Sequence, residues 1–261
     1  MRGVGFLRRR VRFALRTALL AGLFPRRSKV FGTPDASTAS IVMCLWNRPS
    51  RITPILTMLD GQDYPGGVEL FLWNNNRREH QPYVDAIREF EATGAVRAVH
   101  LARSPHNLGS IGRFVWARQI GRSRPGSAVI VLDDDQDVQP DFVTTLMAKF
   151  DPKRIFAWWA WVVVGGYHDR KPAEVGGRVD HIGPGASVMT VDIFADRKFF
   201  TDIPDRFRML DDLWLTSYAR RHGYPLEKLD VPVEFVMDET NQYHTQIGAK
   251  AEFFDYLYPE S

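Results

Sequence analysis

The chain has 261 residues with a formal net charge of +3, and its composition is 44% hydrophobic and 25% charged. This profile indicates a soluble globular protein, with one large or two small domains and a substantial buried core. Basic charge is concentrated before the first acidic residue, Asp35, which argues against a nucleic-acid-binding protein. The single cysteine, Cys44, cannot form an internal disulfide and is expected to be a buried thiol in a reducing compartment.

Residues 1–34 form a basic segment ahead of the predicted domain. Its longest uncharged stretch, Thr17 to Pro25, is too short to cross a bilayer, which needs about 20 apolar residues. An imperfect apolar helical face predicts an interfacial helix on an anionic membrane surface, which places the protein peripherally at the cytoplasmic side. A solvated basic tail, a helix on a partner chain and an organelle transit peptide are the alternatives. The basic residues are Arg2, Arg8, Arg9, Arg10, Arg12, Arg16, Arg26, Arg27 and Lys29.

Four apolar strands alternate with helices in the next part of the chain. The strands are predicted at SIVMCLW, VELFLW, VRAVHL and SAVIVL. Helices are predicted around Ile55, Leu56 and Leu59, at PYVDAIREFEATG with its end at Gly94, and at GRFVWARQIG. Repeated strand–helix units imply right-handed crossovers and a mostly parallel sheet.

Polar loops follow these strands, at NRPS, NNNRRE, SPHNLGS and DDDQD. Ligands of parallel sheets bind beyond the carboxyl ends of the strands, so the loops are expected to converge on one crevice. The last loop gathers Asp133, Asp134, Asp135 and Asp137. Such carboxylates either bind a divalent cation together with substrate phosphates or form a solvated loop. We also expect Asp137 or Asp141 to cap the following helix.

Four stretches, in the right order between residues 39 and 226, resemble the GT-A fold glycosyltransferases, and within them family 2. IVMCLWNRPSRITPILTMLDGQDYPGGVELFLWNNN is similar to the family's opening, and HNLGSIGRFVWA to its N-x-G segment. VLDDDQDVQPDF is similar to the metal-binding D-x-D region. IGPGASVMTVDIF and RMLDDLWLTSYARRHGY are similar to the acceptor loop and the E-D-x-x-L element.

The resemblance implies an α/β fold of two halves. A Rossmann-like nucleotide-binding half with a mostly parallel central sheet would be fused to an acceptor-binding half. This transferase domain is predicted over residues 35–245, followed by a tail over residues 246–261.

The resemblance also implies a nucleotide-sugar donor, UDP- or GDP-linked, with Mn²⁺ or Mg²⁺ as the cofactor. Asp133 and Asp135 match the outer acids of D-x-D, where the last acid binds the metal and the first works near the ribose or a metal-bound water. Asp134 would support them, and His244 is a candidate for a further metal ligand. Asn74 stands where the family usually has Asp, so the base preference stays open. The positions that match the nucleotide site are Asn47, Arg48, Asn74, Asn107, Gly109 and Arg113.

The pair Asp211 and Asp212 matches the family's catalytic acids. The second acid of that pair is the general base, and the implied result is inversion at the anomeric carbon. Here Asp replaces the family's Glu at the first position, so Asp212 is predicted as the base and Asp211 as its support or an acceptor ligand. The alternative is a pair of acids that merely favours the positive end of a helix.

Other side chains around these motifs have two interpretations each. His181 would contact acceptor or phosphate, or be an ordinary polar residue. One of Trp158, Trp159 and Trp161 would stack on a sugar, while core packing is expected for at least two. Gly183 and Gly185 suit either a tight loop beside a sugar or a plain turn.

These observations predict a metal-dependent, inverting glycosyltransferase that acts on a glycan, lipid-linked or protein acceptor, in envelope or glycolipid glycan synthesis. A sugar nucleotidyltransferase is the first alternative, but no glycine-rich loop follows the first strand. A non-catalytic, membrane-recruited scaffold with a degenerate fold is the second. Acids retained in both the D-x-D and the Asp211–Asp212 positions argue against it.

Overall fold

The computed structural model describes residues 14–20, 27–236 and 247–259. The strands in these ranges are β1 (Arg27–Gly32), β2 (Ala39–Leu45), β3 (Val68–Asn74), β4 (Val96–Arg103), β5 (Ala128–Val131), β6 (Gln136–Val138), β7 (Ile155–Ala157), β8 (Ala160–Gly166), β9 (Asp169–Pro172), β10 (His181–Ile182), β11 (Ser187–Thr190), β12 (Leu226–Lys228) and β13 (Val233–Phe235). The helices are α1 (residues 14–20), α2 (Ile52–Asp60), α3 (His80–Glu89), α4 (Gly112–Ser123), α5 (Phe142–Lys149), α6 (Lys198–Thr201), α7 (Asp211–Arg221) and α8 (Ile247–Leu257).

One sheet of eight strands, in the order β1-β4-β3-β2-β5-β11-β7-β12, organises the described residues. The neighbours β4, β3, β2 and β5 are parallel, whereas β1 and β11 run against the strands beside them. The α/β fold with a mostly parallel central sheet is therefore confirmed. A three-stranded sheet, β10-β8-β9, and the pair β13-β6 lie outside it.

The parallel strands separate two apolar cores, because successive side chains of a strand point to opposite faces. On β2, Val42 packs in one core, whereas Ile41 and Met43 pack in the other. Both faces are covered, so β3 is buried at every position and β2 at all but one, and both strands are mostly apolar, as the continuous runs predicted. At one crossing α4 lies so close to β3 that a side chain at Gly112 would meet the Trp73 ring within 2.4 Å.

Two local predictions are wrong. Helix α3 ends at Glu89 rather than at Gly94, because Phe90 turns to an extended backbone. Gly94 instead packs on the end of α2, where the Asp60 carboxylate accepts hydrogen bonds from the backbone N–H groups that follow α3. Neither predicted acid caps α5 through its side chain: Asp141 precedes the helix without a capping bond, and Asp137 pairs with Arg51 at 2.6 Å.

Residues near both ends of the chain pack into the domain. Leu19 and Leu20 of α1 are buried in the core, and the Arg118 guanidinium donates to the Leu20 carbonyl at 3.0 Å. Near the other end, Phe253 and Phe254 of α8 are buried in the same core. None of the described helices has the length and apolar character that a membrane crossing requires.

Candidate active site

A cavity of about 510 Å³ lies beyond the carboxyl end of β5, where the acidic loop leaves the sheet. It is bounded on one side by that loop and on the others by the 183–185 loop, the start of α7 and a residue of α8. Its lining residues are Ser110, Arg113, Asp133, Asp135, Gln136, Trp159, Tyr167, Arg170, Gly183, Pro184, Gly185, Met209, Asp211, Asp212, Phe235 and Lys250.

The two outer acids of the D-x-D motif face this cavity. The side chains of Asp133 and Asp135 are 34% and 23% exposed, so their oxygens are accessible to a ligand. Burial, together with the charges of Asp133 and Asp134, raises the pKa of Asp135 to about 7. The loop therefore holds more negative charge than its own cations balance, which is an environment that suits an added cation.

Asp134 has a different environment from its neighbours. Its carboxylate accepts a hydrogen bond from the Trp46 backbone N–H at 3.0 Å and pairs with the Arg48 guanidinium at 2.6 Å. Burial raises its pKa to about 6 although Arg48 opposes the shift. Asp134 and Arg48 thus tie the acidic loop to the end of β2, and neither residue lines the cavity.

Arg113 joins the two acidic groups of the site. Its guanidinium pairs through Nη1 with Asp133, and through Nη2 with Asp211 at 2.8 Å. The side chain is only 2% exposed, although it contributes to the cavity lining from α4. A buried arginine with two carboxylate partners is costly to disturb, so it fixes the D-x-D loop relative to the start of α7.

The acid pair opens α7. Neither acid is the N-cap, which is Leu210, but both lie in the first turn, where the helix dipole favours negative charge. Asp211 accepts from Ser110 Oγ and from Arg113, so both of its oxygens are engaged in the interior. Burial raises the pKa of Asp211, and Arg113 offsets only part of that effect. Asp212 reaches the cavity, with Oδ1 accepting from the Leu213 N–H at 2.9 Å.

Close packing explains the glycines of the 183–185 loop. A side chain at Gly185 would lie 2.2 Å from Asp133 Oδ2, and one at Gly183 would lie 2.9 Å from the Trp159 ring. Because neither glycine has a positive φ, the requirement comes from contact and not from backbone conformation. The loop therefore passes directly over Asp133, beside the Trp159 indole that lines the cavity.

An aromatic wall made of Trp158, Trp159, Trp161 and Phe235 stands on the side of the cavity beyond that loop. Neighbouring rings lie 5.2–5.5 Å apart, and Phe235 is 42% exposed. Trp159 and Phe235 line the cavity. Apolar rings of this kind offer a stacking surface to a sugar.

Of the six residues that match the nucleotide site in the sequence, only Arg113 lines the cavity. Asn47 has φ 57 and accepts from Asn76 Nδ2 at 2.7 Å, and Asn107 accepts from the Gly109 N–H at 2.7 Å. Gly109 has φ 70, and a side chain there would meet Met209 within 2.7 Å. Asn74 is fully buried, with its amide engaged by Asn76 and His80.

His181 and His244 are the two histidines that the sequence suggested for the site. His181 is 2% exposed and lies behind Asp212, with Nε2 3.9 Å from Asp212 Oδ2, so it does not line the cavity. Burial lowers its pKa to about 4, so the imidazole is neutral at physiological pH. His244 lies outside the described residues.

Several lining residues have no counterpart in the sequence predictions. They come from segments that no motif marks: β9 supplies Arg170, β13 supplies Phe235 and α8 supplies Lys250. Ser110 lies within the polar loop HNLGS, directly after Gly109, whose φ is positive. A hydroxyl beside that glycine in a predicted ligand loop was the one sequence feature that could have indicated Ser110. No local pattern signalled the others.

Comparison with known proteins gives the class of fold. No protein-family model matches the sequence, and no curated protein matches it. Among solved structures, the mannosyltransferase PcManGT from Pyrobaculum calidifontis, in complex with GDP-Man and Mn²⁺, is similar with a TM-score of 0.55 and 14% identity, over 94% of this chain and 71% of that one. S. aureus TarS 1-349 is similar with a TM-score of 0.52 and 16% identity, over 74% of this chain.

The chain adopts the GT-A-like fold of glycosyltransferases. It spans 58% of the TarS chain, and the identities are low, so the likeness concerns the fold. The assignment to family 2 within that class stays a prediction.

Proposed function

We propose that this protein is a metal-dependent, inverting glycosyltransferase that moves a sugar from a nucleotide-sugar donor to an acceptor hydroxyl. One observation carries the proposal: Arg113 holds Asp133 of the D-x-D motif and Asp211 of the acid pair on a single guanidinium at the floor of one cavity. The proposed transfer uses a cation that assists the leaving diphosphate and a base that accepts the proton of the acceptor hydroxyl. Asp133 belongs to the site proposed for the cation, and Asp211 precedes the proposed base, Asp212, so Arg113 brings the two sites together.

The residues present fit a hard divalent cation. Asp133 and Asp135 offer two carboxylates, and no group of three or more acidic, histidine or cysteine ligands is assembled in the described ranges. Two carboxylates with the remaining positions left to phosphate oxygens and water is the ligand set that Mg²⁺ and Mn²⁺ take beside nucleotides. When bound, the cation would neutralise the diphosphate that leaves. PcManGT, which shares the fold, binds Mn²⁺ and GDP-Man.

The chain's own residues supply the base. Asp212 accepts the proton of the acceptor hydroxyl while the hydroxyl oxygen forms its bond to the anomeric carbon. The bond from that carbon to the diphosphate oxygen breaks, and the electron pair leaves with the nucleoside diphosphate. Attack from the face opposite the leaving group inverts the configuration. The wall with Trp159 and Phe235 is the surface we assign to the acceptor.

The first test is a screen of UDP- and GDP-sugars for release of nucleoside diphosphate, with and without Mn²⁺. We expect turnover that EDTA abolishes and Mn²⁺ or Mg²⁺ restores, and we expect Asp135→Asn to lose at least about a hundredfold in kcat. Asp137→Asn is the matched control, since Asp137 belongs to the same loop but pairs with Arg51 outside the cavity. Turnover that is indifferent to EDTA would remove the metal from the proposal. Release of pyrophosphate from a nucleoside triphosphate and a sugar 1-phosphate, supplied in a parallel assay, would identify a nucleotidyltransferase instead.

We also propose that the basic segment holds the protein on an anionic membrane surface at its cytoplasmic side. The test uses substitutions, because truncation of the segment would also remove Leu19 and Leu20 from the core. Each arginine near an anionic surface contributes about 1 kcal/mol, so replacing four with Gln should abolish co-sedimentation with phosphatidylserine vesicles. Arg88→Gln, on the exposed face of α3, should bind as the native protein does. Undiminished binding of the quadruple variant contradicts the proposal. The four substituted residues are Arg8, Arg9, Arg10 and Arg12.

A further inference from the structure

Helix α8 delivers a lysine to the candidate base. The Lys250 ammonium lies 2.8 Å from Asp212 Oδ2, and the two side chains are 11% and 15% exposed. Both residues line the cavity, but they are 38 positions apart and Lys250 lies beyond the region that resembles the family. A lysine is seldom buried without an acidic partner, so this pair is a specific tertiary contact.

The position of Lys250 is set by the packing of α8. Phe253 is fully buried, and its ring stacks on Phe207 with centroids 4.3 Å apart. Phe254 is buried one position further along, near the Tyr167 ring. Because two consecutive aromatic side chains fix the helix, the lysine one turn earlier approaches Asp212 from a defined direction.

The groups that face Asp212 come from four elements. Lys250 approaches from α8, the neutral His181 from β10, the Tyr167 phenol from the turn between β8 and β9, and Asp211 from α7 itself. Burial of Asp212 and the charge of Asp211 both favour protonation of the carboxyl group. Lys250 pairs directly with this carboxylate, and the Arg170 guanidinium of β9 lines the same cavity.

We propose that Lys250 is a positioning residue, which keeps Asp212 ionised and oriented for proton transfer in the reaction proposed above. The ammonium uses one side of Oδ2, and a carboxylate oxygen has a second lone pair to accept the acceptor's proton. Oδ1 is held by the Leu213 N–H, so the carboxylate cannot rotate freely. The proposal depends on the proposed function, because it assigns Lys250 a role in that transfer.

Activity that depends on ionised Asp212 should fall at low pH. Burial alone would raise the pKa of Asp212, but Lys250, together with His181 and the Leu213 N–H, outweighs burial and the pKa lies below its ordinary value. Asp212 is therefore ionised throughout the neutral range, and activity that depends on it is lost only as pH falls through this depressed pKa. Without the ammonium, burial and Asp211 raise the pKa, so the base becomes protonated at a higher pH.

The experiment compares kcat/KM profiles of the native protein, Lys250→Met and Lys250→Arg between pH 5 and 9. We expect the acidic limb of Lys250→Met to move to higher pH. At pH 6 the kcat of Lys250→Met should be at least about tenfold lower than that of the native protein, and the difference should shrink toward pH 9. The KM for the donor should not change. Lys250→Arg should restore the native limb, since it retains the charge. Lys149→Met, at the exposed end of α5, is the matched control.

Each outcome has one meaning. Native protein that transfers no sugar defeats the proposed function and the role of Lys250 with it. Native protein that transfers sugar, beside a Lys250→Met variant with an unmoved acidic limb, defeats the role of Lys250 alone. If Lys250→Met does not fold, Lys250→Gln takes its place. The Asp212 carboxyl ¹³C signal, assigned by its loss in Asp212→Asn, must titrate at higher pH in the lysine variant for the proposal to stand.

Discussion

Replacing Asp212 by Asn should lower kcat for sugar transfer by about 10³-fold or more while the donor affinity changes by less than about twofold. Asparagine has nearly the same shape as aspartate, but its amide cannot take up the acceptor's proton. Asp212 lines the cavity at the start of α7. The donor diphosphate is assigned instead to the cation that Asp133 and Asp135 would hold. The measurements are product formation at saturating donor and calorimetric titration with the nucleoside diphosphate and Mn²⁺.

Asp255→Asn is the control for this substitution, because Asp255 is an exposed acid on α8. It should retain native kcat. Transfer that persists in Asp212→Asn at more than about a tenth of the native rate would remove Asp212 as the base, and Asp211→Asn would then be the next variant to test. Loss of donor binding together with transfer would instead assign Asp212 to the donor side.

Replacing Arg113 by Met should destabilise the protein by about 3–5 kcal/mol. The substitution leaves Asp133 and the buried Asp211 without the cation that joins them, and methionine has nearly the volume of the arginine stem. The midpoint of urea unfolding at pH 8 measures the effect. Arg122→Met is the matched control, since Arg122 lies on the same helix, is exposed and donates a hydrogen bond to Gln119 at 3.4 Å.

The loss of stability in Arg113→Met should increase as the pH rises. Burial already raises the pKa of Asp211, and removal of Arg113 raises it further. A carboxyl group with a raised pKa binds more protons in the folded state than in the unfolded state, so stability falls as pH rises. Arg113→Met should therefore be less destabilised at pH 5 than at pH 8. The double variant Arg113→Met with Asp211→Asn should recover part of the loss, and a loss that does not change with pH would contradict the buried-pair account.

The sequence was most informative where one local pattern determines one local structure. Nearly continuous apolar runs predicted β2 and β3 because a strand covered on both faces buries the side chains of both its faces. The alternation of strands and helices predicted a parallel sheet, and with it the edge at which the polar loops meet. The end of α3 was missed because Gly94 resembles a helix terminator, whereas its close contact with Asp60 arises only in the folded chain.

In the candidate site, too, the sequence predicted one part and the folded chain decided another. The strand that precedes Asp133 and Asp135 predicted that these acids lie at the ligand edge, and the family resemblance implied the same for Asp212. All three line the cavity, while their roles stay predictions. The folded chain decided what those acids touch: Arg113 meets Asp211 across 98 positions, and Lys250 meets Asp212 across 38. Periodicity reports which face of an element is buried, but the partner on that face is chosen by the packing of distant elements, which leaves no trace in the local sequence.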